Sequence, residues 1–349
     1  MRSARLALGR DEILAFRRHV AALDERLPMT VASLRRAAWA GLQDSMPRAA
    51  LLSIHARVES TRPTTWQEPP LVQTWGPRFS AYVVASDDLA PFTLGRLPDD
   101  EPRRRRAYEI AARLRDFLGG RRMSYADAGR GIGLTPNALR YAAPTGSVLI
   151  RWEGARRPLI WTVPPPAVEP LDARLELVRR YLHAFGPATP DAFEEWAGLR
   201  RPAGSAAFTA LGDGLVPVRT PIGDAWILAT DEAEVRGPTE GAGGAAPARL
   251  LPSGDTFFLL WGRSRELLVP DGRLRSLLWT SRVWPGALLV GGEVAGTWRR
   301  SDTTVTIAPW RRLDVTERST VEAEAASLPL PDARGAVAVR WEGPVPGQV

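Results

Sequence analysis

Three stretches of the chain repeat one order of apolar spacing: helical periods first, then a pair of short strand-like segments. In the first stretch, Ile13, Leu14, Phe16, Val20 and Leu23 fall near one face of a helix expected around Asp11–Leu23. Pro28 interrupts, and a second helix is expected over Thr30–Trp39. Residues Gly41 to Val58 read as a polar turn running into a third helix, on which Leu51, Leu52, His55 and Val58 recur. Pro47 suits the first helical position and Ser45 the N-cap before it. Leu71–Trp75 and Phe79–Ala85 then read as strands on either side of Gly76-Pro77. Helices closed by such a hairpin make a winged helix, a helix-turn-helix variant.

The order recurs twice. Tyr108–Leu118 is expected as a helix ended by Gly119-Gly120, Ser124–Gly131 as a second capped by Ser124, and Asn137–Tyr141 as a short third. Ser147–Arg151 and Leu159–Val163 complete a hairpin across Glu153-Gly154. Pro164-Pro165-Pro166 is a stiff link. Beyond it, Leu171–Ala184, Asp191–Ala197 and Gly204–Leu211 read as helices, with Val216–Arg219 and Trp226–Ala229 as the pair of strands. Residues 233–248 are small and rich in Gly and Pro, as a linker is. Residues 249–313 turn strand-rich, with Gly291-Gly292 as a hairpin signal, and a helix is expected over 314–327. The chain therefore reads as an α+β protein of three tandem winged-helix (helix-turn-helix) units and a β-rich C-terminal unit. The boundaries are 1–100, 101–166, 167–232, a linker at 233–248, and 249–349.

Charge narrows the partner. The net charge is +7, and residues 1–160 hold 26 Arg against 16 acidic residues. The basic excess belongs to the first half, which points to a polyanion, nucleic acid first. All 46 basic residues are Arg, so lysine Schiff-base chemistry is excluded. There is no cysteine, which removes disulfides and zinc–cysteine sites and suits the cytoplasm. No apolar run approaches the roughly 18 residues of a membrane helix, and no signal-peptide core opens the chain. No His pair has metal-ligand spacing.

Several residues then stand out. Gln43, Asp44 and Ser45 precede a helix, where amide, carboxylate and hydroxyl are held near its positive end, beside an anion or a water. Arg103 and Arg104, in the run DDEPRRRR, are either a solvated helix end or a phosphate clamp. Asn137 and Arg140 lie on the third helix of the second unit, the usual reading helix, and Arg151, Arg156 and Arg157 lie on its wing. Asp255 is a possible second carboxylate. Trp261, Trp279, Trp284, Trp298 and Trp310 cluster late in the chain; such a series either stacks bases or fills a sheet core.

The stretch Gly41-Leu42-Gln43 resembles the signature of the bacterial winged-helix DNA glycosylases (AlkZ/YcaQ-like; winged helix DNA-binding domain-containing proteins). Their motif is Gln, any residue, then Gln or Asp, after a Gly-Leu-like pair. Here Ser45 occupies the third position, with Asp44 one place early. The family's hairpin motif resembles Arg78 to Tyr82, and RLLPSGD and YLHAFGPATPDAFEEWAGL also look like family segments. The resemblance covers roughly residues 7–313. It implies a monofunctional glycosylase that hydrolyses the N-glycosidic bond of bulky alkylated or crosslinked purines in double-stranded DNA. Water is the nucleophile, with no cofactor and no metal, and the setting is the cytoplasmic nucleoid. Gln43 would orient the water, Asp44 would stabilise the cation or take a proton, and Ser45 would hold water. Arg78 and Tyr82 would line the damaged-nucleotide pocket. The departure at Ser45 leaves a second reading open: a non-catalytic, regulatory DNA-binding protein on the same scaffold.

Overall fold

The computed structural model describes residues 6–46, 48–152, 158–237, 246–330 and 335–343. Strand β1 (Leu6–Ala7) leads into helix α1 (Arg10–Val20), which buries Ile13, Leu14 and Phe16. Thr30 opens α2 (Val31–Ala37) by accepting the Ser33 N–H on its hydroxyl. Strand β2 (Leu42–Gln43) precedes α3 (Ala49–His55), all of whose residues are buried. Strands β3 (Leu71–Trp75) and β4 (Ala81–Ala85) form a hairpin around the 3-10 turn Pro77–Phe79, and α4 (Leu89–Phe92) follows. Phe79 thus belongs to the turn and not, as its spacing suggests, to the second strand.

Asp100 accepts the Arg103 N–H and caps α5 (Glu101–Leu118). Ala107, Ile110, Ala111, Leu114 and Leu118 make one buried stripe, while Arg103 to Arg106 face solvent in its first turns. After β5 (Met123–Ser124), Ser124 caps α6 (Tyr125–Gly131). The third helical element is a 3-10 stretch, Pro136–Thr145, longer than the short helix the sequence suggests. Strands β6 (Val148–Arg151) and β7 (Leu159–Thr162) close this part. Helices α7 (Pro170–Phe185), α8 (Pro190–Ala197, capped by Thr189) and α9 (Ala203–Leu211) precede β8 (Leu215–Thr220) and β9 (Gly223–Leu228). The linker read from residue 233 begins inside a short helix, α10 (Glu232–Arg236), and residues 238–245 lie outside the described residues.

The C-terminal part holds β10 (Arg249–Leu251), two short helices α11 (Ser264–Leu268) and α12 (Gly272–Leu278), and β11 (Gly286–Val290). Then follow β12 (Glu293–Ser301), β13 (Thr304–Pro309), α13 (Val315–Ala326) and β14 (Ala338–Trp341). Of the strand-rich reading of residues 249–313, the segment RLLPSGDTFFLLWG carries strand at its first three residues alone. Pro252 lacks the N–H a ladder needs, and Gly254 has φ +77, so the chain turns there.

Among the described residues three sheets result. The two hairpins β3–β4 and β6–β7 lie side by side in a six-stranded sheet, order β2-β4-β3-β6-β7-β5, joined where Gln73 faces Ile150. The N-terminal strand β1 pairs parallel to β8, and β10 to β14 form the third sheet. The largest hydrophobic cluster draws on every part of the chain: Leu14, Tyr82, Leu149, Tyr181, Phe185, Phe193, Trp196, Phe258 and Trp310 all belong to it. Within it Tyr181 and Phe185 stack at 5.1 Å. Truncating Trp196 or Phe193 there costs about 3–5 kcal/mol by cavity formation.

Candidate active site

Strand β2 sets the geometry of the motif. Leu42 faces Val83, and Gln43 faces Tyr82, while the Asp44 N–H donates to the Ala81 carbonyl at 2.7 Å. Side chains in an extended segment alternate between faces. Gln43 and Ser45 therefore share one face, and Asp44 shares the other with Leu42. The Gln43 Nε2 donates to the Ser45 hydroxyl at 3.0 Å; Gln43 is half-buried and Ser45 exposed.

Asp44 points the opposite way and is 4% exposed. Its Oδ1 accepts the Ala50 N–H at 3.0 Å, and its Oδ2 accepts the Gln73 Nε2 at 2.7 Å. Arg48 adopts φ 66, which delays the start of α3 to Ala49 and hands the cap to Asp44. The Ser45 cap expected from the sequence is not formed. Burial pushes the Asp44 carboxyl up to about 7, against the opposing pull of the two hydrogen bonds and of Arg48. The expectation that Asp44 stands in for the third motif residue fails: a one-residue shift in an extended segment reverses the face.

Tyr82 is the cross-strand neighbour of Gln43 but is 2% exposed. A Cβ on Gly76 would sit 2.7 Å from its ring, and one on Gly41 would sit 2.9 Å from it. Tyr82 is thus the sealed floor beside Gln43, and its phenol, pushed up by burial, is not a pocket surface. Asp255 is corrected likewise. Its two oxygens accept from the Arg57 guanidinium at 2.7 and 2.8 Å, and Oδ1 also accepts the Phe257 N–H. Both partners are at most 2% exposed. Asp255 acts on the site through its neighbour. Gly254 lies against Gln43, so close that a Cβ there would meet the Gln43 amide carbon and Oε1 at 3.2 Å. The buried ion pair anchors this loop over the Gln43 turn.

The remaining candidates spread around the six-stranded sheet and its neighbours. Arg78, exposed at the hairpin tip, donates to the Glu195 carbonyl at 2.9 Å and lies 5.4 Å from the Trp261 ring centroid. Arg103 and Arg104 pair with Asp100 and Glu101 at the start of α5. Phe79, Arg103, Arg106, Tyr141, Arg200 and Arg201 border a cleft of about 640 Å³. Asn137 is exposed and accepts the Tyr125 hydroxyl at 2.9 Å, while Arg140 packs near the Phe79 and Tyr141 rings. Arg151 is half-buried at the end of β6; Arg156 and Arg157 lie outside the described residues. Trp279, Trp298 and Trp310 are buried, with the indole N–H groups of Trp279 and Trp298 donating to Phe258 and Leu251 carbonyls, so these three fill the core rather than stack bases. His55 bonds Thr61 and Ser327 through its two ring nitrogens and is structural.

Sequence reasoning passed over Gln73, Arg57, Trp152 and Gly254. Gln73 had a visible signal as the one amide in the otherwise apolar strand LVQTW. Among the described residues no three His, Cys, Asp or Glu side chains gather as a metal site, and no helix is long and apolar enough to cross a membrane.

The fold has a counterpart among solved structures. The structure of the Streptomyces sahachiroi DNA glycosylase AlkZ matches with a TM-score of 0.75 over 97% of this chain and 100% of that one, at 18% identity, a likeness of fold. The interstrand DNA cross-link repair glycosylase of Streptomyces sahachiroi is 30% identical over 167 residues, 46% of this chain. The matched segment spans 43% of that relative's length. The family described as DNA glycosylase AlkZ-like matches residues 34–329. The chain belongs to the AlkZ-like DNA glycosylase family.

Proposed function

We propose that the protein is a monofunctional DNA glycosylase that removes bulky alkylated or crosslinked purines from double-stranded DNA in the cytoplasmic nucleoid. The three helix–helix–helix–hairpin stretches act as winged helices that grip the duplex. Arg103, Arg140, Arg151 and the wing arginines Arg156 and Arg157 are assigned to its phosphates, Arg78 to the strand at the lesion, and Asn137 to a base edge or the backbone. The observation that carries the reading is the pairing of the Gln43 amide with the Ser45 hydroxyl, 3.0 Å apart on the outer face of the turn.

That pair suits an activated water. As the bond from C1′ to an N7-alkylguanine breaks, the sugar gains cationic character and the purine departs with the bonding electrons. The N7-alkylated base already carries a positive charge, so it leaves neutral and needs little acid help. Water adds to C1′ and yields its proton to solvent, giving an abasic site and the free alkylpurine. Gln43 offers a donor and an acceptor to hold that water, and Ser45 fixes the amide's orientation. Asp44, on the inner face, takes no direct part. The name of the Streptomyces sahachiroi relative, which refers to interstrand cross-link repair, supports a crosslinked substrate.

Ser45 also favours a second reading. No carboxylate of the turn shares Gln43's face, which suits a DNA-binding regulator without catalysis. Incubation with duplexes carrying N7-alkylguanine or nitrogen-mustard crosslinks, with released base measured by chromatography, separates the two. The glycosylase reading expects release by the wild-type protein that is lost in Gln43→Ala. Salt-sensitive duplex binding without release supports the regulator; release gained on Ser45→Gln would then locate the missing chemistry in that residue.

A further inference from the structure

The inner face of the same turn carries a hydrogen-bond chain that the hydrolysis does not use. The Asp44 Oδ2 accepts from the Gln73 Nε2 at 2.7 Å, and the Gln73 Oε1 accepts the Trp152 N–H at 2.7 Å. The Trp152 carbonyl accepts from the Arg48 guanidinium at 3.0 Å. Trp152 follows β6, at the loop end of the second hairpin, and both its backbone groups are held by residues of the first stretch. Gln73 is 4% exposed, and one register pair, Gln73 with Ile150, joins the two hairpins between β3 and β6.

We infer that Asp44 and Gln73 are positioning residues that lock the Gln43 turn to the second hairpin, so that gripping DNA with that hairpin sets the placement of Gln43. The direction of each hydrogen bond carries the argument. Ala50 and Trp152 offer N–H donors at the two ends of the chain. A carboxylate at 44 accepts from both Ala50 and Gln73, which turns the Gln73 oxygen toward Trp152. A group at 44 that donates to Gln73 forces the amide to flip, and its NH2 then faces the Trp152 N–H. Buried donors left face to face are costly. The lock therefore needs an acceptor-only group at one of the two positions, and either will serve. With Asn at 44 and Glu at 73, Asn accepts from Ala50 and donates to Glu, and Glu accepts from Trp152. All three hydrogen bonds are restored, with the buried charge moved one residue along the chain of contacts.

This inference rests on the glycosylase reading for its effect on catalysis, and its test has an arm that does not. Amide hydrogen exchange at Trp152 and Ala50, read by NMR, and single-turnover base release are measured at about pH 8, where the carboxyl of Asp44 is ionised, for wild type, Asp44→Asn, Gln73→Glu and the double variant. Each single variant is expected to speed Trp152 exchange and slow release, each by about tenfold or more. The double variant is expected to return both to within about threefold of wild type. Folding of the double variant where a single variant fails to fold counts as the same rescue. Unchanged Trp152 exchange in Asp44→Asn overturns the lock, as does a double variant no better than its parents, folded or not. Loosened Trp152 with unaltered release overturns its role in placing Gln43. If wild type releases no base, the glycosylase reading falls alone, and exchange still decides whether the lock exists.

Discussion

Two buried carboxylates flank the Gln43 turn, and they are held in different ways. Asp255 meets a bidentate guanidinium, Arg57, with which it forms a complete ion pair in the interior. Asp44 accepts from the uncharged Ala50 N–H and Gln73 amide, with Arg48 pulling from nearby, and burial lifts its carboxyl to about 7. The difference separates an anchor from an adjustable joint. A buried ion pair is rigid because removing either partner strands a charge. A buried carboxylate among neutral donors is poised, because desolvation nearly balances its hydrogen bonds.

Breaking the anchor should have the largest effect. Asp255→Ala leaves the Arg57 guanidinium, 2% exposed, without its counter-charge. The expected loss is about 3–5 kcal/mol of stability, read by urea or thermal unfolding. Simultaneous Arg57→Met should recover much of it, since no charge then remains buried. Next comes the loop the anchor holds. Gly254→Ala places a side chain at φ +77 and within 3.2 Å of the Gln43 amide. A cost of about 1–3 kcal/mol is expected in stability, with base release falling further than unfolding explains, because Gln43 must shift.

The most gradual effect is the pH response of the joint, which is spread over several pH units and is small between any two neighbouring pH values. The Asp44 carboxyl lies higher when folded, at about 7, than its ordinary 3.8. Its contribution to stability is thus fully present below about pH 4 and is lost as pH rises through about 7. Unfolding followed from pH 4.5 to 8 should show wild type losing stability relative to Asp44→Asn by up to about 1.4 kcal/mol per pH unit. Arg48, the charged neighbour of Asp44, pulls its carboxyl down and so acts on wild type alone, moderating the difference.

What could be read from the sequence follows the range of each interaction. Caps at Thr30, Asp100, Ser124 and Thr189 lie within three residues of the N–H groups they accept; the helices started by Thr30, Ser124 and Thr189 fall close to expectation, whereas α5 begins at Glu101, seven residues before the expected Tyr108. Gln43 stood out as a polar residue ahead of an apolar helix. The fates of Asp44 and Asp255 were not legible, because their partners lie 29 and 198 residues away. Ser45 looked like a cap because Arg48's left-handed backbone has no signature in composition. Tyr82 looked like a pocket residue, since nothing local shows that Gly41 and Gly76 leave just the room that buries it.

The central claim is that the outer face of the turn, through Gln43, performs the chemistry while the inner face only positions it. Single-turnover release of N7-methylguanine from duplex DNA by Gln43→Ala, at a melting temperature matched to wild type, tests this most directly. The account predicts a rate about a hundredfold or more below wild type. Release at the wild-type rate by a folded Gln43→Ala protein would contradict it.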